Sequence, residues 1–399
     1  MKTNPPEQPF QLLTICVVIA LTITTHSMIQ PLVPLYSSSL GASPSLIGVL
    51  VAATYLFPLF LAIPVGALLD RMGVRGFISG GVAAVALAPM AVWLLSGLVP
   101  LAITQVFLGL AHLLVVVSAQ TFVASLPGNG ERNFGWYTAF LSAGQLAGPL
   151  LAGIVADTLG YLSAFLIAGL ISVPAVLIAF GLRPVPGSQQ IGRYKSGQSV
   201  AQLGLLLKNR SVRVAMLVSS CVVLSMIAYQ AFLPVYMQEQ GYSAATIGLL
   251  LSLLALVSMV VRPFISRTVQ AFGGRMKTFV ATMLSVSVGV GLVALSTELP
   301  WLLLAAMLVG VGTGITQPLS LVLVVEQVQA SKRSLALGLR LTANRVTQVA
   351  GPLLLGRLAE ASSLTLVFVA TASVVLASGG IVFRARNRAE ATSAGTSKS

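Results

Sequence analysis

The stretch QLAGPLLAGIVAD, residues 145–157, recurs as QVAGPLLLGRLAE at residues 348–360. Eight of the thirteen positions are identical, and Asp157 at the end of the first copy corresponds to Glu360 at the end of the second. Gln, Gly and Pro keep the same order in both copies. Matches of these residues arise by chance less often than matches of leucine in a leucine-rich sequence. The stretch therefore indicates an internal duplication with an offset of 203 residues.

A second pair of segments supports the duplication with nearly the same offset. Eight residues of the first segment recur 200 positions later in the chain. They are Gln30, Pro34, Tyr36, Gly41, Ser43, Ile47, Gly48 and Leu50, and their counterparts are Gln230, Pro234, Tyr236, Gly241, Ser243, Ile247, Gly248 and Leu250.

Composition indicates an integral membrane protein. The chain is 56% hydrophobic and 8% charged, whereas an ordinary soluble domain has about 25% charged residues. Apolar runs of about 20 residues, long enough to cross about 30 Å of hydrocarbon as a helix, recur from end to end. The first run is too long for the apolar region of a signal peptide. Twelve membrane helices are predicted, at residues 11–36, 46–69, 76–97, 100–124, 134–157, 160–182, 212–237, 245–267, 277–297, 301–325, 335–358 and 363–383.

The duplication divides these helices into two sets of six. An even number of helices per copy gives both halves the same orientation, as in transporters whose substrate site lies near the membrane midplane. The predicted fold is an all-α membrane protein of twelve transmembrane helices in two pseudo-symmetric halves. Its predicted parts are an N-terminal bundle (1–182), a cytoplasmic linker (183–211), a C-terminal bundle (212–384) and a cytoplasmic tail (385–399).

The net charge of +14 is explained by topology rather than by nucleic-acid binding. Lys and Arg in the connections occur in the termini and in every second loop, which places both termini and the central loop in the cytoplasm. We expect a multi-pass protein of the cell (inner) membrane, with its basic face against anionic lipid and no nucleic-acid partner.

Cys16 and Cys221 are the only cysteines, so neither a disulfide framework nor a metal site is expected. No cofactor is expected either.

The connection between predicted helices 2 and 3 contains GALLDRMGVRG, residues 66–76. It resembles the cytoplasmic signature of the major facilitator superfamily, and with the duplicated twelve-helix layout this resemblance covers essentially the whole chain. The resemblance implies a conformational latch in which Asp70 faces the N-terminus of helix 11, whose free N–H groups favour an anion. The alternative is a solvated turn whose charges serve only the topology. The latch residues are Gly66, Asp70, Arg71, Gly73 and Arg75.

Predicted helix 5 resembles the glycine-rich motif of the family's exporters, in the drug or metabolite:proton antiporter branch. The motif residues are Gly144, Gly148, Pro149 and Gly153. Small residues at this spacing let neighbouring helix backbones approach. Two departures weaken the resemblance: Ala152 stands where a second glycine is usual, and Gln105 stands where the family often has an arginine used in proton coupling. Ordinary small-residue packing is the alternative, and the copy in helix 11 weakens any claim about direction.

Polar side chains inside apolar helices are costly in lipid and usually face a cavity or a partner. In the superfamily, helices 1, 4, 7 and 10 line the central cavity, so the resemblance makes most of these residues candidates for substrate binding. The candidates are His26, Gln30, Gln105, His112, Tyr229, Gln230, Gln317, Asn344, Arg345 and Gln348. Each has the alternative role of a packed, hydrogen-bonded side chain.

Four residues are candidates for proton coupling: His26, His112, Glu326 and Asp70. Helix 1 lacks the intramembrane acid that many drug exporters of the family carry, which is why the two histidines enter the set. Glu326 falls at the cytoplasmic edge of helix 10, where an ion pair with Arg262 or Arg340 is the preferred interpretation.

Arg345 lies ten residues past Leu335, about 15 Å along the helix and near the midplane. An arginine there costs about 2.5–3.5 kcal/mol on insertion scales, so it needs a partner or water. No acid occupies the central third of a predicted helix. Two roles remain open: contact with an anionic or strongly accepting substrate in a water-filled cavity, or structural hydrogen bonds to carbonyls freed at a proline kink.

These observations favour a secondary transporter that works by alternating access, as a proton-coupled antiporter for efflux of drug-like compounds or metabolites, of the kind that confers multidrug resistance. A symporter or facilitator for an organic anion or nutrient is the first alternative. A membrane enzyme is a remote one, because no nucleophile elbow, phosphate loop or metal-ligand spacing is present. The expected partners are a small-molecule substrate, protons and lipid, and the expected state is a monomer.

The topology can be tested with single cysteines in a chain from which Cys16 and Cys221 have been removed. Cysteines at Ser38 or Ser243 are expected to react with impermeant thiol reagents from outside the cell. A cysteine at Ser196 is expected to react only after permeabilisation, and its labelling in intact cells would contradict the orientation.

Overall fold

The computed structural model describes residues 7–72, 74–127, 129–182, 204, 206–329 and 332–396. Side chains are described in these ranges except at 7–9, 62–64, 66–72, 327, 334 and 385–396. The described chain is helical throughout, with short turns and no strand. Residues 183–203 of the predicted linker lie outside the described residues, so the predicted domain limits stay a prediction.

In the described part of the chain, twelve long helices follow one another at the predicted places. The first six are α1 (Glu7–Ser39), α2 (Pro44–Met72), α3 (Val74–Leu95), α4 (Leu98–Ser125), α5 (Gly130–Leu159) and α6 (Tyr161–Phe180). The others are α7 (Arg210–Glu239), α8 (Ala244–Ala271), α9 (Arg275–Leu295), α10 (Leu299–Gln327), α11 (Arg333–Ala361) and α12 (Leu364–Thr396). Within α7 a π-helical turn spans Ala228–Phe232, and within α8 a 3₁₀ turn spans Arg262–Phe264.

Eleven of the twelve helices contain a segment long and apolar enough to cross a membrane. The exception is α11, a helix of 29 residues in which Arg340, Asn344, Arg345 and Gln348 interrupt the apolar sequence. Its position and its length match those of the predicted helix 11, so α11 completes the predicted set of twelve helices although it is more polar than the other eleven.

The helices pack in the same pairs in each half of the chain. In the first half α1 packs on α5 and α6, and α3 packs on α4 and α6. In the second half α7 packs on α11 and α12, and α9 packs on α10 and α12. Each pair of the second set lies six helices after a pair of the first, which confirms two pseudo-symmetric halves.

The described helices form two compact units. The first contains α1 to α6 together with Leu233–Ser252, which is the end of α7 and the start of α8. The second contains α7 up to Phe232 and everything from Leu253 onward. The boundary within α7 directly follows its π-helical turn.

Two turns show the duplication in atomic detail. Gly41, after α1, has φ 77° and Gly241, after α7, has φ 81°, a left-handed conformation that glycine adopts without steric cost. The N–H of Ala42 donates to the Ser37 carbonyl at 3.0 Å, and the N–H of Tyr242 donates to the Met237 carbonyl at 3.0 Å. Both helices therefore end in the same glycine-dependent turn, in which these bonds satisfy their last carbonyls.

The repeated segments 145–157 and 348–360 each place a glycine against a neighbouring helix at equivalent positions. A Cβ on Gly148 of α5 would lie 2.8 Å from the Thr24 carbonyl oxygen and 2.9 Å from the Met28 nitrogen. Its counterpart Gly351 of α11 faces α7, where a Cβ would lie 2.9 Å from Ile227 Cδ1. At Gly148 the obstacle is backbone, whereas at Gly351 it is the end of a flexible side chain.

Gly148→Ala is expected to lower the thermal stability of the protein by about 1–3 kcal/mol, because the α1 backbone must move to admit a methyl group. Gly351→Ala should cost less, since Ile227 can change rotamer. Gly135→Ala in the same helix is the matched control, because a Cβ there meets nothing within 4 Å. Thermal melting in detergent measures all three. A Gly148→Ala protein that melts like the Gly135→Ala control would contradict this account.

The N-terminus of α8 is capped by a side chain from α5. The carboxylate of Asp157 accepts from the N–H of Ala244 at 2.8 Å and from the N–H of Ala245 at 2.7 Å. The next N–H, of Thr246, donates to Ser243 Oγ at 3.2 Å. Three of the N–H groups that a helix start leaves without intrahelical partners are thus satisfied, and the negative charge lies at the positive end of the helix dipole.

Asp157→Asn keeps the shape of the side chain but removes the charge and one of the two acceptor oxygens. We expect the α8 start to lose about 0.3–1 kcal/mol of stabilisation, the range for an exposed charge at a helix N-terminus. Amide hydrogen exchange at Ala244 and Ala245 should then become up to about fivefold faster. Glu360→Gln, at the exposed repeat counterpart, is the control. Unchanged amide hydrogen exchange in the Asp157→Asn protein would show that the Asp157 charge does not stabilise the start of α8.

Candidate functional site

Two histidines meet in the first unit. The rings of His26 on α1 and His112 on α4 are stacked, with centroids 3.8 Å apart and planes 17° from parallel. His26 is 7% exposed and His112 is half-buried. Gln30, one turn further along α1, places Nε2 3.5 Å from His26 Nε2, at the outer limit of a hydrogen bond. Three predicted candidates are thereby brought together.

Gln105 lies two turns before His112 on α4 and joins that helix to α2. Its Oε1 accepts from Thr54 Oγ1 at 2.9 Å, and its side chain is 3% exposed. Its Nε2 is buried, and no described residue accepts a hydrogen bond from it. Between the two polar residues, Gly109 lies directly against the Thr54 backbone. Gln105 therefore contributes an interhelical bond and an amide with unused donor capacity.

The second unit has its own polar cluster, centred on Ser219 of α7. Ser219 Oγ donates to Asn344 Oδ1 on α11, and the Ser219 carbonyl accepts from Gln317 Nε2 on α10 at 3.3 Å. Ser219 is fully buried, and the two amides are half-buried. Polar bonds thus join three helices of this unit in their membrane-spanning part.

Arg340 of α11 belongs to the same cluster, which the sequence analysis did not predict. Its side chain is 2% exposed. The guanidinium donates to Ser320 Oγ at 2.7 Å and 3.0 Å and to Gln317 Oε1 at 2.7 Å. No described carboxylate lies within ion-pair distance of it. The signal was available: Arg340 interrupts the same apolar run as Arg345, five residues earlier.

Arg345 is half-buried, and its Nη1 donates to Gln348 Oε1 at 2.9 Å, within the same helix. Asn344 instead turns to Ser219. The three neighbouring polar residues predicted on α11 therefore separate into a bonded pair and a member of the Ser219 cluster.

The π-helical turn of α7 positions Tyr229 and Gln230. Tyr229 is fully buried, and its hydroxyl donates to the Gly289 carbonyl of α9 at 3.2 Å. Gln230 is half-buried. Tyr229 thus occupies a packing position between two helices.

Glu326 at the end of α10 pairs with Arg275 at the start of α9 in a two-pronged contact, with Arg275 Nη2 2.7 Å from Oε1. The predicted alternative of Arg340 as its partner was wrong, because Arg340 is buried in the Ser219 cluster instead. The exposed position of Glu326, at a helix end, favours this solvent-accessible pair.

Most of the predicted latch lies outside the part of the chain whose side chains are described. This applies to Gly66, Asp70, Arg71 and Gly73. Arg75 is described: it is exposed and donates to the Phe180 carbonyl in the last turn of α6. A cation there complements the negative end of a helix dipole.

The exporter-like glycines of α5 have two neighbours. Gly144 and Gly148 lie against α1: a Cβ on Gly144 would be 2.7 Å from the Ala20 carbonyl oxygen. Gly153 lies against Ala244 and Ala245 of α8, and Gly248 of α8 lies against the carbonyl of Pro149. Ser252 Oγ adds a bond to the Leu146 carbonyl at 2.7 Å. The motif therefore provides close backbone approach on two faces of α5.

Comparison with known proteins agrees with this architecture. The chain is 22% identical over 348 residues to an uncharacterized MFS-type transporter of Methanocaldococcus jannaschii, covering 85% of this chain and 88% of the relative. Among solved structures it is similar to the nucleoside transporter NupG, with a TM-score of 0.79 and 14% identity over 94% of this chain and 98% of that one. A bacterial homolog of the human lysosomal transporter Spinster gives a TM-score of 0.77 and 14% identity over 96% and 98% of the two chains.

The family model described as Major Facilitator Superfamily matches residues 15–273 and 216–399. Together these stretches cover nearly the whole chain, including both repeats and both polar clusters. With eleven apolar spans and the repeated helix packing, the match identifies a multi-pass membrane transporter: the chain belongs to the Major Facilitator Superfamily.

Proposed function

We propose that this transporter couples the movement of protons to the efflux of small drug-like or metabolite molecules. The observation that carries the proposal is the stacked pair His26 and His112 in the middle of α1 and α4. By sequence position, all nine Asp and Glu residues lie near helix ends or in the terminal segments. Histidine is the side chain whose ordinary pKa lies between pH 5 and 8. The pair is therefore the best-placed proton carrier in the membrane.

The contact between α5 and α8 supports a mechanism of alternating access. Glycine approach and the Asp157 cap join these helices through bonds that can be broken without burying an unpaired charge, because Asp157 is exposed. The resemblance of the α5 glycines to those of exporters favours the outward direction. The protein would act as a monomer in the cell (inner) membrane, with both termini in the cytoplasm and no enzymatic step.

A second candidate function is uptake or facilitated movement of an organic anion. It is favoured by Arg340 and Arg345, two guanidinium groups on α11. Arg340 is buried among neutral partners, with no described carboxylate in ion-pair distance. A guanidinium group can donate two parallel hydrogen bonds to a carboxylate or phosphate group.

The proposal is tested with purified protein in liposomes under an imposed pH gradient, using ethidium as a cationic probe and benzoate as an anionic one. We expect ethidium movement that requires the gradient and stops when an ionophore collapses it. His26→Gln and His112→Gln should each reduce gradient-driven transport at least tenfold, whereas Gly135→Ala, remote from the pair, should not. Transport that is independent of the pH gradient would contradict proton coupling.

The same assay separates the two candidate functions. Benzoate transport that Arg345→Lys weakens, in a protein that melts like the wild type, would favour the anion carrier, because lysine keeps the charge but loses the planar fork. Ethidium efflux without benzoate transport would exclude an anion-binding role for Arg345.

A further inference from the structure

We propose that the turn between α8 and α9 binds the headgroup of an anionic phospholipid from the cytoplasmic leaflet of the membrane. The site is an exposed surface formed by Phe264, Arg267, Phe272 and Lys277, called the α8–α9 patch below. It uses the predicted cytoplasmic position of this turn and none of the residues of the histidine pair or the Ser219 cluster. The proposal is therefore independent of the substrate, direction and coupling of transport.

The repeat shows that the α8–α9 turn has diverged from its counterpart in the first half. The sequence DRMGVR at residues 70–75 corresponds to QAFGGR at residues 270–275, with glycine at the fourth position and arginine at the sixth position of both. The aspartate of the first copy is replaced by Gln270 in the second. The second copy has therefore lost the carboxylate of the predicted latch.

The second copy has gained cations and an aromatic side chain in exchange. Arg267, Phe272 and Lys277 stand at the places of Ala67, Met72 and Phe77. One Asp and two Arg give residues 64–77 a net charge of +1, whereas two Arg and one Lys give residues 264–277 a net charge of +3. The turn has become a purely basic segment, as expected for a surface that attracts an anion.

The end of α8 presents one of these cations beside an exposed ring. Phe264, Arg267 and Ala271 follow one another at intervals of three and four residues, so they share a face of the helix. All three are exposed, and Phe264 is 47% exposed. The guanidinium carbon of Arg267 lies 5.8 Å from the centroid of the Phe264 ring, within the range of a cation–π contact. This contact holds the charge of Arg267 next to an apolar surface.

The turn itself carries the second cation. Gly273 has φ 68°, and the Nζ atom of Lys277 lies 3.4 Å from the place that a Cβ on Gly273 would occupy. The ammonium group therefore lies against the backbone of the turn instead of extending away from it. Phe272, the residue before Gly273, is 48% exposed. The turn thus combines a positioned ammonium with a second exposed aromatic residue.

Cations outnumber carboxylates around this turn. The sequence contains no Asp or Glu between Glu239 and Glu298. Glu326 reaches the turn from α10 and forms its two-pronged contact with Arg275. Because one guanidinium already takes both oxygens of that carboxylate, Arg267 and Lys277 add positive charge that Glu326 does not balance.

The combination of cations and exposed rings fits a phospholipid better than a small soluble anion. Guanidinium and ammonium groups donate charge-assisted hydrogen bonds to phosphate oxygens. Exposed phenylalanines at the end of a membrane-spanning helix suit the boundary between headgroups and acyl chains. The cytoplasmic leaflet is the one that carries anionic headgroups, and each nearby Lys or Arg strengthens attraction to them.

The preference for anionic lipid is measured by native mass spectrometry of the full-length protein in detergent, with phosphatidylglycerol and phosphatidylcholine as probes. We expect phosphatidylglycerol to bind at least about fivefold more tightly, the effect of about one cation near an anionic surface. Added salt should weaken this preference, because exposed charges are screened. Equal affinities for the two lipids in the wild-type protein would overturn the proposal.

Charge substitutions locate the site. Arg267→Gln and Lys277→Gln should each weaken phosphatidylglycerol binding about fivefold while leaving phosphatidylcholine binding unchanged. Arg213→Gln is the matched control, because it removes an exposed cation at the start of α7, outside the patch. A control that weakens binding as much as the patch variants would show a general attraction to basic loops and would overturn the assignment of this site.

The divergence of the repeat provides a further variant. Gln270→Asp restores the carboxylate of the first copy on an exposed position and should weaken phosphatidylglycerol binding, whereas Gln270→Asn should not. Thermal melting verifies that both proteins fold. Equal binding by the two variants would show that charge at this turn does not govern the contact, which contradicts the proposal.

A measurement on the wild-type protein avoids any dependence on folded variants. Phosphatidylglycerol with a photoreactive headgroup is irradiated with the protein in vesicles, and the crosslinked peptides are identified. We expect labelling concentrated at residues 264–277 that excess phosphatidylglycerol removes and that glycerol phosphate at the same concentration does not. Labelling confined to other segments would overturn the site, and equal competition by glycerol phosphate would show that it binds a soluble anion instead of a lipid.

Discussion

The close approach of α1 to α5 is the contact on which the first unit depends. At Gly144 and Gly148 the α1 backbone occupies the space that a side chain on α5 would need. The residues of α1 that face α5 are thereby set, at Thr24, Ser27 and Met28. Because successive residues turn by about 100° around a helix, His26 points to a different face, where α4 brings His112 to it. A packing constraint between two helices thus determines which side chains meet between two others.

The second half of the chain repeats the helix pairs of the first half but not their polar side chains. Gly351 faces α7 as Gly148 faces α1, and Gly241 preserves the turn of Gly41. The polar residues have diverged: Met226 occupies the counterpart of His26, and Ser142 that of Arg345. Glycines and turns are constrained by the backbone that both halves share, whereas a side chain that faces a neighbouring helix can change without altering the framework. Two related halves can therefore carry different polar groups, a histidine pair in one and buried arginine in the other.

The positions of the charged groups follow the free-energy cost of placing each group in the hydrocarbon of the membrane. Carboxylates lie at helix ends, where Asp157 caps α8 and Glu326 pairs with Arg275. In the spans themselves the polar groups are amides, hydroxyls, two imidazoles and the guanidinium groups of α11. Arg340 is accommodated because several neutral oxygens surround it, which lowers the cost of a buried charge without a counter-ion. This arrangement places the described carboxylates at helix ends rather than in the middle of the membrane-spanning helices.

Much of the fold could be predicted from the sequence, because the physics involved is local and repetitive. Apolar length determines the membrane spans, the alternation of basic loops predicts their orientation, and the recurrence of Gln, Gly and Pro reveals the duplication. The same reasoning selected His26, His112, Gln317 and Asn344 as candidates, since a polar residue in an apolar run is visible without a structure. The sequence did not predict which of these side chains contact one another. Nothing in the spacing of His26 and His112 predicts ring stacking, and the position of Glu326 at the edge of helix 10 left Arg262 and Arg340 as alternative partners while the observed partner is Arg275. Which face of a helix meets which neighbour depends on glycine contacts distant in the chain, so only the tertiary structure decided that the histidines form a pair, that Arg340 is buried beside Gln317, and that Asp157 caps α8.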